Sequence, residues 1–200
     1  MQVVLASANP GKLRELAALL GPLGFELKTQ AELGVASPPE TGTTFLENAL
    51  LKARHAARIT GLPALADDSG IEVDALGGRP GVHSARYAGE SASDLDNLIK
   101  LLEELRDVPP EKRTARYQCV IVLVRTADDP QPVVATGTWE GTILSVPRGT
   151  GGFGHDPIFL PAGMNRSAAE LSAEEKNAVS HRAQALRRLV AQLAPGAPDR

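Results

Sequence analysis

The most chemically loaded residues in the chain are two adjacent aspartates, Asp67-Asp68, followed by Ser69-Gly70. They close the apolar stretch Pro63 to Ala66, and carboxylates at the end of a buried strand are costly unless a cation meets them. Mg2+ would do so, because it takes oxygen ligands and shares them with substrate phosphates. A plain turn between strands would also read Asp-Ser-Gly. Ser69 and Gly70 would let the backbone come close to a ligand. Glu40 is the lone carboxylate in a stretch of Pro, Gly and Thr. It is either a further metal ligand beside Asp68 and Asp67 or a solvated loop residue.

A second group could hold phosphates. Ser7-Ala8-Asn9-Pro10-Gly11-Lys12 reads as a tight turn from a strand into a helix. Backbone N–H groups and the helix dipole favour an anion there, and Lys12 adds a full charge. It is not a Walker A loop, because the first glycine is missing and Leu13 follows the lysine. An ordinary turn with a surface lysine would look the same. Lys52 is one helical turn from Asn48, on the same face. It is either a phosphate ligand or a surface lysine.

A third group could hold a base. Gly149-Thr-Gly-Gly-Phe153-Gly154-His155-Asp156-Pro157 surrounds one phenylalanine with glycines. That suits a loop presenting Phe153 as a flat face, with Asp156 placed to accept ring N–H groups. Lys176, His181 and Arg182 supply donors further on, though surface and structural roles are common for such residues.

The elements that must position these groups follow from periodicity. Strands are expected at 3–6, 25–28, 117–124 and 133–143, with Ile71, Val73 and Ala75 alternating in a half-buried one. Helices are expected after Lys12 (Leu13, Leu16, Ala17 and Leu20 inward), over 44–60, over 93–105 (Leu95, Leu98, Leu102 and Leu105 inward), and from Ser172 to about Leu193. Thr44 with Glu47 and Ser172 with Glu175 form capping boxes. Alternating helices and strands, with two long strands adjacent in sequence, predict a mixed sheet.

Bulk composition sets limits. The chain has 200 residues, 42% hydrophobic and 22% charged, with a formal net charge of -3. That supports one globular core and gives no global attraction for nucleic acid or an anionic membrane. The single cysteine, Cys119, lies in an apolar run. No disulfide within the chain is possible, which fits a reducing, cytoplasmic setting. No signal peptide and no bilayer-spanning run is expected. Residues 1–194 read as one domain and 195–200 as a disordered tail.

Taken in order, Ser7-x-Asn9-x-x-Lys12, Phe45-x-Glu47-Asn48-Ala49-x-x-Lys52-Ala53, Ala66-Asp-Asp-Ser-Gly70, Pro80-Gly-Val-His-Ser-Ala-Arg86, Gly151-Gly-Phe-Gly-His-Asp-Pro157 and Glu174-Glu-Lys-Asn-x-x-Ser-His-Arg182 resemble the inosine triphosphate pyrophosphatase family. That family removes non-standard purine nucleotides such as ITP, dITP and XTP, keeping deaminated purines out of DNA and RNA. The resemblance implies an α/β fold, with a mixed central β-sheet flanked by helices and two lobes with the active site in the cleft between them. It also implies a homodimer, a Mg2+ cofactor, and cleavage of the triphosphate to monophosphate and pyrophosphate. Asp68 would be metal ligand and proton acceptor. Ser7 to Lys12 and Ser69 would hold the substrate; Phe153 to Asp156, Lys176, His181 and Arg182 would hold the base end. Ser7 stands where Thr is commoner, and His155 where Tyr or Phe is expected.

The chemistry expected is in-line attack of water on the α-phosphorus, with Asp68 as base. Donors at His181 and Arg182 would satisfy a purine 6-carbonyl and be left unpaired by an adenine amino group. A Maf-type pyrophosphatase also opens with strand, Ser-rich turn and helix, but two arginines are expected after its proline where Gly11-Lys12 stand. A non-hydrolysing nucleotide sensor would have no need of the acidic pair.

Overall fold

The computed structural model describes residues 2–193; the tail expected at 195–200 lies outside them. The strands are β1 (Gln2–Leu5), β2 (Glu26–Thr29), β3 (Ala64–Val73), β4 (Thr114–Val124), β5 (Val133–Ile143) and β6 (Phe159–Pro161). The helices are α1 (Pro10–Leu20), α2 (Phe45–Thr60), α3 (Asp94–Glu104), α4 (Ala173–Val179) and α5 (His181–Leu193). One six-stranded sheet has the order β2-β1-β3-β4-β5-β6. β1 pairs in parallel with β2 and β3, whereas β5 and β6 are antiparallel, so the sheet is mixed as expected. Among the described residues, no helix is long and apolar enough to cross a membrane.

The chain divides into two compact units. The first holds Met1–Asp68, Cys119–Gly137 and Arg182–Arg200; the second holds Ser69–Gln118 and Thr138–His181. The domain read from the sequence spans both.

In the first unit, strand alternation sorts the core into two layers. Val3, Leu5, Leu65, Cys119, Ile121 and Leu123 pack with Leu16 and Leu20 of α1 and with Ala185, Leu186 and Leu189 of α5. The residues between them, Val4, Ala64, Ala66, Val122 and Val124, pack with Ala49, Ala53, Ala56 and Ala57 of α2. Alanines at this spacing let α2 lie close on its face of the sheet. Helix α2 opens at Thr44, whose side chain accepts from Glu47 N–H in the capping box read from the sequence, and Gly61 closes it in the left-handed region. The second unit has its own core, where Ile71, Val73, Leu98, Leu101, Leu105, Tyr117, Trp139 and Phe159 meet.

Four expectations need correction. β3 does not end at Asp67 but runs through Asp67-Asp68-Ser69-Gly70 to Val73 and is mostly buried rather than half-buried. The aspartates are neutralised by neighbouring cations, so the strand has no need to stop at them. The expected C-terminal helix is two helices, because Ser180 turns extended (ψ 161°) while its N–H still closes α4 on the Lys176 carbonyl. Ala17 is exposed. On α3 the inward stripe is Leu98, Leu101 and Leu105, while Leu95 is 62% exposed. Five leucines between 95 and 105 permit more than one helical stripe, and packing selects one.

That selection predicts contrasting costs. Leu101→Ala should cost about 2–5 kcal/mol of unfolding free energy, as truncations of fully buried leucines do. Leu95→Ala should stay within about 0.5 kcal/mol of wild type. Urea denaturation of both variants measures the contrast; equal losses would restore the stripe read from the sequence.

Candidate functional site

Strand alternation gives the two aspartates opposite surroundings. Asp67 shares a face with Leu65, toward α1 and α5. Its side chain is fully buried, with Lys12 Nζ of α1 at 3.1 Å and Arg182 Nη2 of α5 at 3.3 Å on Oδ2. Arg182 Nε lies 3.4 Å from the same oxygen, and its Nη1 donates to Glu15 of α1. Burial pushes the Asp67 pKa up, but Lys12, Arg182 and Lys52 outweigh it and hold the carboxyl well below the usual range. Asp67 is thus a fixed anion that gathers cations.

Asp68 shares a face with Ala66, toward α2. Lys52 Nζ donates to its Oδ1 at 2.9 Å and Asn48 Nδ2 to its Oδ2 at 3.3 Å. Lys52 also donates to Glu40 Oε1 at 2.8 Å. Burial raises the Asp68 pKa more than Lys52 and Lys12 lower it, so this carboxyl holds a proton more readily than its neighbour. For Lys52 burial works the other way, but Asp68, Asp67 and Glu40 win and its pKa is raised. Asp68 and Glu40 therefore converge on one cation. Among the described residues, no group of three or more His, Cys, Asp or Glu could hold a metal. Two carboxylates do suit Mg2+, which binds through one or two carboxylates, waters and substrate phosphates. Asp67 suits it less, because its charge is already answered by Lys12 and Arg182.

The first turn of α1 differs from the phosphate cradle expected. Asn9 Oδ1 accepts from Gly11 N–H at 2.8 Å and Lys12 N–H at 3.1 Å. Pro10 has no N–H, and Leu13 N–H donates to the Asn9 carbonyl. The backbone N–H groups of residues 9 and 11–13 are thus taken and that of residue 10 is absent, as an N-cap requires. What it offers an anion is the Lys12 ammonium, the exposed Ala8 backbone, the Ser7 and Asn9 side chains and the dipole. Ser7 is buried and accepts the Asn9 N–H at 3.2 Å; Ala8 is exposed between them.

Ser69, in the second unit, is half-buried on β3. The following Gly70 allows a close approach, but of protein rather than ligand: a Cβ there would sit 2.2 Å from the Gly81 carbonyl oxygen. The turn at 81–86 docks on β3 through Ser84, whose Oγ accepts the Ile71 N–H at 2.9 Å. This gives a packing reason for the Pro80 to Arg86 motif.

The Gly-rich loop, also in the second unit, is built around Asp156. Its carboxylate accepts the Phe153 N–H at 2.9 Å and the Lys176 ammonium at 2.6 Å, and it is 1% exposed. A Cβ on Gly152 would lie 2.0 Å from Asp156 Oδ2, and its φ of 70° favours glycine. The Lys176 ammonium sits 4.6 Å from the centre of the half-buried Phe153 ring. His181 stacks on Tyr117 at 4.6 Å and 9°. Gly154 N–H donates to Asp94 at 2.8 Å, and His155 is buried against Asp94 and Asn97 of α3. Sequence reasoning grouped Arg182 with Lys176 and His181; the chain divides between His181 and Arg182, and the guanidinium is taken up by Asp67 and Glu15. It also missed Glu15, Asp94 and Asn97, which carry no local motif.

The first unit thus sets a buried carboxylate of raised pKa among lysines, and the second holds a half-buried aromatic ring beside an ammonium. The Ham1 family model matches residues 3–192, and the chain belongs to that family. It is similar to the dITP/XTP pyrophosphatases of Shigella flexneri (58% identical, covering 98% of this chain and 99% of the relative) and Pectobacterium atrosepticum (60% identical, covering 94% and 96%). Among solved structures it resembles a HAM1 protein from Coxiella burnetii, with a TM-score of 0.89, 50% identity and coverage of 96% and 98%. It also resembles a nucleoside-triphosphatase / dITP/XTP pyrophosphatase from Mycobacterium abscessus, with a TM-score of 0.73, 46% identity and coverage of 98% and 100%.

Two outcomes follow from this geometry. Arg182→Ala should cost about 3–5 kcal/mol in chemical denaturation, because it strips buried Asp67 and half-buried Glu15 of their shared cation; a change under 1 kcal/mol would remove Arg182 from that role. His155 Nε2 is buried with no hydrogen-bond partner, and burial pushes the imidazole pKa down to about 4 against the opposing pull of Asp94 and Asn97. The unfolded chain then binds more protons than the folded one between pH 6.5 and about 4, so stability is lost as pH drops through that window. His155→Phe should remove this loss, worth about 1.4 kcal/mol per pH unit at most. Parallel melting-temperature curves for variant and wild type would refute it.

Proposed function

We propose that the protein hydrolyses the non-standard purine triphosphates ITP, dITP and XTP to the monophosphate and pyrophosphate. The observation that carries this is Asp68: a buried carboxylate with a raised pKa, its oxygens held by Lys52 and Asn48. Such a group can take a proton from water. Lys12 and Lys52, with the Ser7 and Asn9 side chains, answer the charge of the triphosphate. Asp68 and Glu40 would hold Mg2+, which when bound offsets phosphate charge and makes a bound water more acidic. Asp68 orients the attacking water and accepts its proton, while Lys12 and Lys52 stabilise charge as pyrophosphate leaves.

For the base, the reading uses the Phe153 ring as a stacking face, with Lys176 and His181 as donors to a 6-carbonyl. An adenine amino group would leave such donors unpaired, at about 1–3 kcal/mol. Arg182 supports catalysis from behind, through Asp67 and Lys12, rather than by reading the base. A homodimer acting in the cytoplasm belongs to the same reading, and sedimentation of the purified protein tests the dimer.

Purified protein with Mg2+ should release monophosphate and pyrophosphate from ITP, dITP or XTP, followed by ion-exchange chromatography, and should process ATP and GTP far more slowly. Orthophosphate as first product would overturn attack at the α-phosphorus. Asp68→Asn should lose about 10²–10⁴-fold in turnover while staying folded; near-normal turnover would remove Asp68 as base.

A further inference from the structure

Asn48 is fully buried on α2, one turn before Lys52. Its amide is committed at both ends. Oδ1 accepts the Gly42 N–H at 2.8 Å, and Nδ2 faces Asp68 Oδ2 at 3.3 Å. The first contact fixes the second: with a backbone donor on the oxygen, the amide must present its NH₂ to the carboxylate. Space fixes it too, because a Cβ on Gly42 would stand 2.7 Å from Asn48 Oδ1, so the 40–44 segment lies directly on the amide. Lys52 meets the other Asp68 oxygen at 2.9 Å and also Glu40 at 2.8 Å. The ammonium is a mobile tip that binds any nearby carboxylate, whereas the amide is planar and pinned by the backbone.

We propose that Asn48 is a positioning residue that sets the rotation of the Asp68 carboxylate and its spacing from Glu40, so that one Asp68 oxygen stays aimed at the reaction. One buried amide ties β3, α2 and the loop carrying Glu40 together. This rests on the reading of Asp68 as the base. Removing the amide leaves Asp68 buried, charged and paired with Lys52, but free to rotate. Binding of the substrate phosphates, left to lysines, changes little, while alignment for attack is lost.

The test compares wild type with Asn48→Ala, Asn48→Asp and Gly42→Ala, measuring kcat and KM for ITP, and Mn2+ affinity by calorimetry without nucleotide. Asn48→Asp keeps the acceptor for Gly42 N–H, deletes the donor to Asp68 and sets a second carboxylate against it. Gly42→Ala keeps Asn48 and pushes its oxygen. Asn48→Asp and Asn48→Ala should lose about 10–100-fold in kcat, as small misplacements of catalytic groups do, with KM within about threefold, and Asn48→Ala, which adds no charge, should bind Mn2+ more weakly. Gly42→Ala should move kcat the same way by less, and it decides the matter if the Asn48 variants do not fold. Wild-type kcat in Asn48→Asp, or wild-type kcat and Mn2+ affinity in Asn48→Ala or Gly42→Ala, would overturn the proposal, as would a loss confined to melting temperature. If wild type itself fails to hydrolyse ITP, the functional reading fails. The Mn2+ affinities then still decide whether Asn48 orders the carboxylates.

Discussion

Successive residues of a β-strand point to opposite faces, and at Asp67-Asp68 this puts two identical side chains into opposed chemical settings. The face that carries Leu65 meets α1 and α5, which bring Lys12, Glu15 and Arg182. The face that carries Ala66 meets α2, which brings Asn48 and Lys52. On the first face the cations win over burial and the carboxyl stays charged; on the second, burial wins and the carboxyl holds its proton more readily. Two uncompensated carboxylates could not remain in the middle of a buried strand. β3 can therefore run from Ala64 to Val73 only because helices on both faces deliver cations to it, and the placement of α1, α2 and α5 is bound to this requirement.

This constraint also explains what the sequence revealed. The helices, the long strands and the caps at Thr44 and Ser172 were legible because each is written in a few neighbouring residues. The acidic pair, Lys12, Lys52 and the glycine-rich loop were legible as residue types suited to phosphate, metal and base. What the pair does was not, because it depends on which helix lies over which face. The strand end expected at Asp67 reflects the same gap: local chemistry says the strand should stop, and partners as far off as Arg182 let it continue. The leucine stripe of α3 failed for a related reason, since periodicity names the candidates and packing chooses among them.

Residues seen as ligand contacts in the sequence often turn out to be supports. Asn9, expected at the substrate, also caps α1 with its side-chain oxygen. Asp156 gives its carboxylate to the Phe153 N–H and the Lys176 ammonium, so it shapes the loop rather than offering a free acceptor to a ring. His155 turns into the protein against α3. Buried polar groups must first satisfy each other; His155 and Asp156 are the buried members of this loop, and Phe153, half-buried, is more open than either.

The two units solve a common problem in the same way. Each places a buried carboxylate where it organises cations: Asp67 with Lys12 and Arg182 in the first, Asp156 with Lys176 in the second. A lysine on a flexible stem is a poor recognition element until something fixes its tip, because ordering the side chain costs up to about 2 kcal/mol of entropy. A buried anion meets that cost in advance, during folding. It also reduces the charge that the lysine can offer a ligand, so an anionic substrate must bring several charges to compete. A triphosphate carries enough, whereas a monophosphate carries fewer and should be held less tightly. The same pairing that orders the site in the free protein thus favours the triphosphate over the monophosphate that hydrolysis leaves behind.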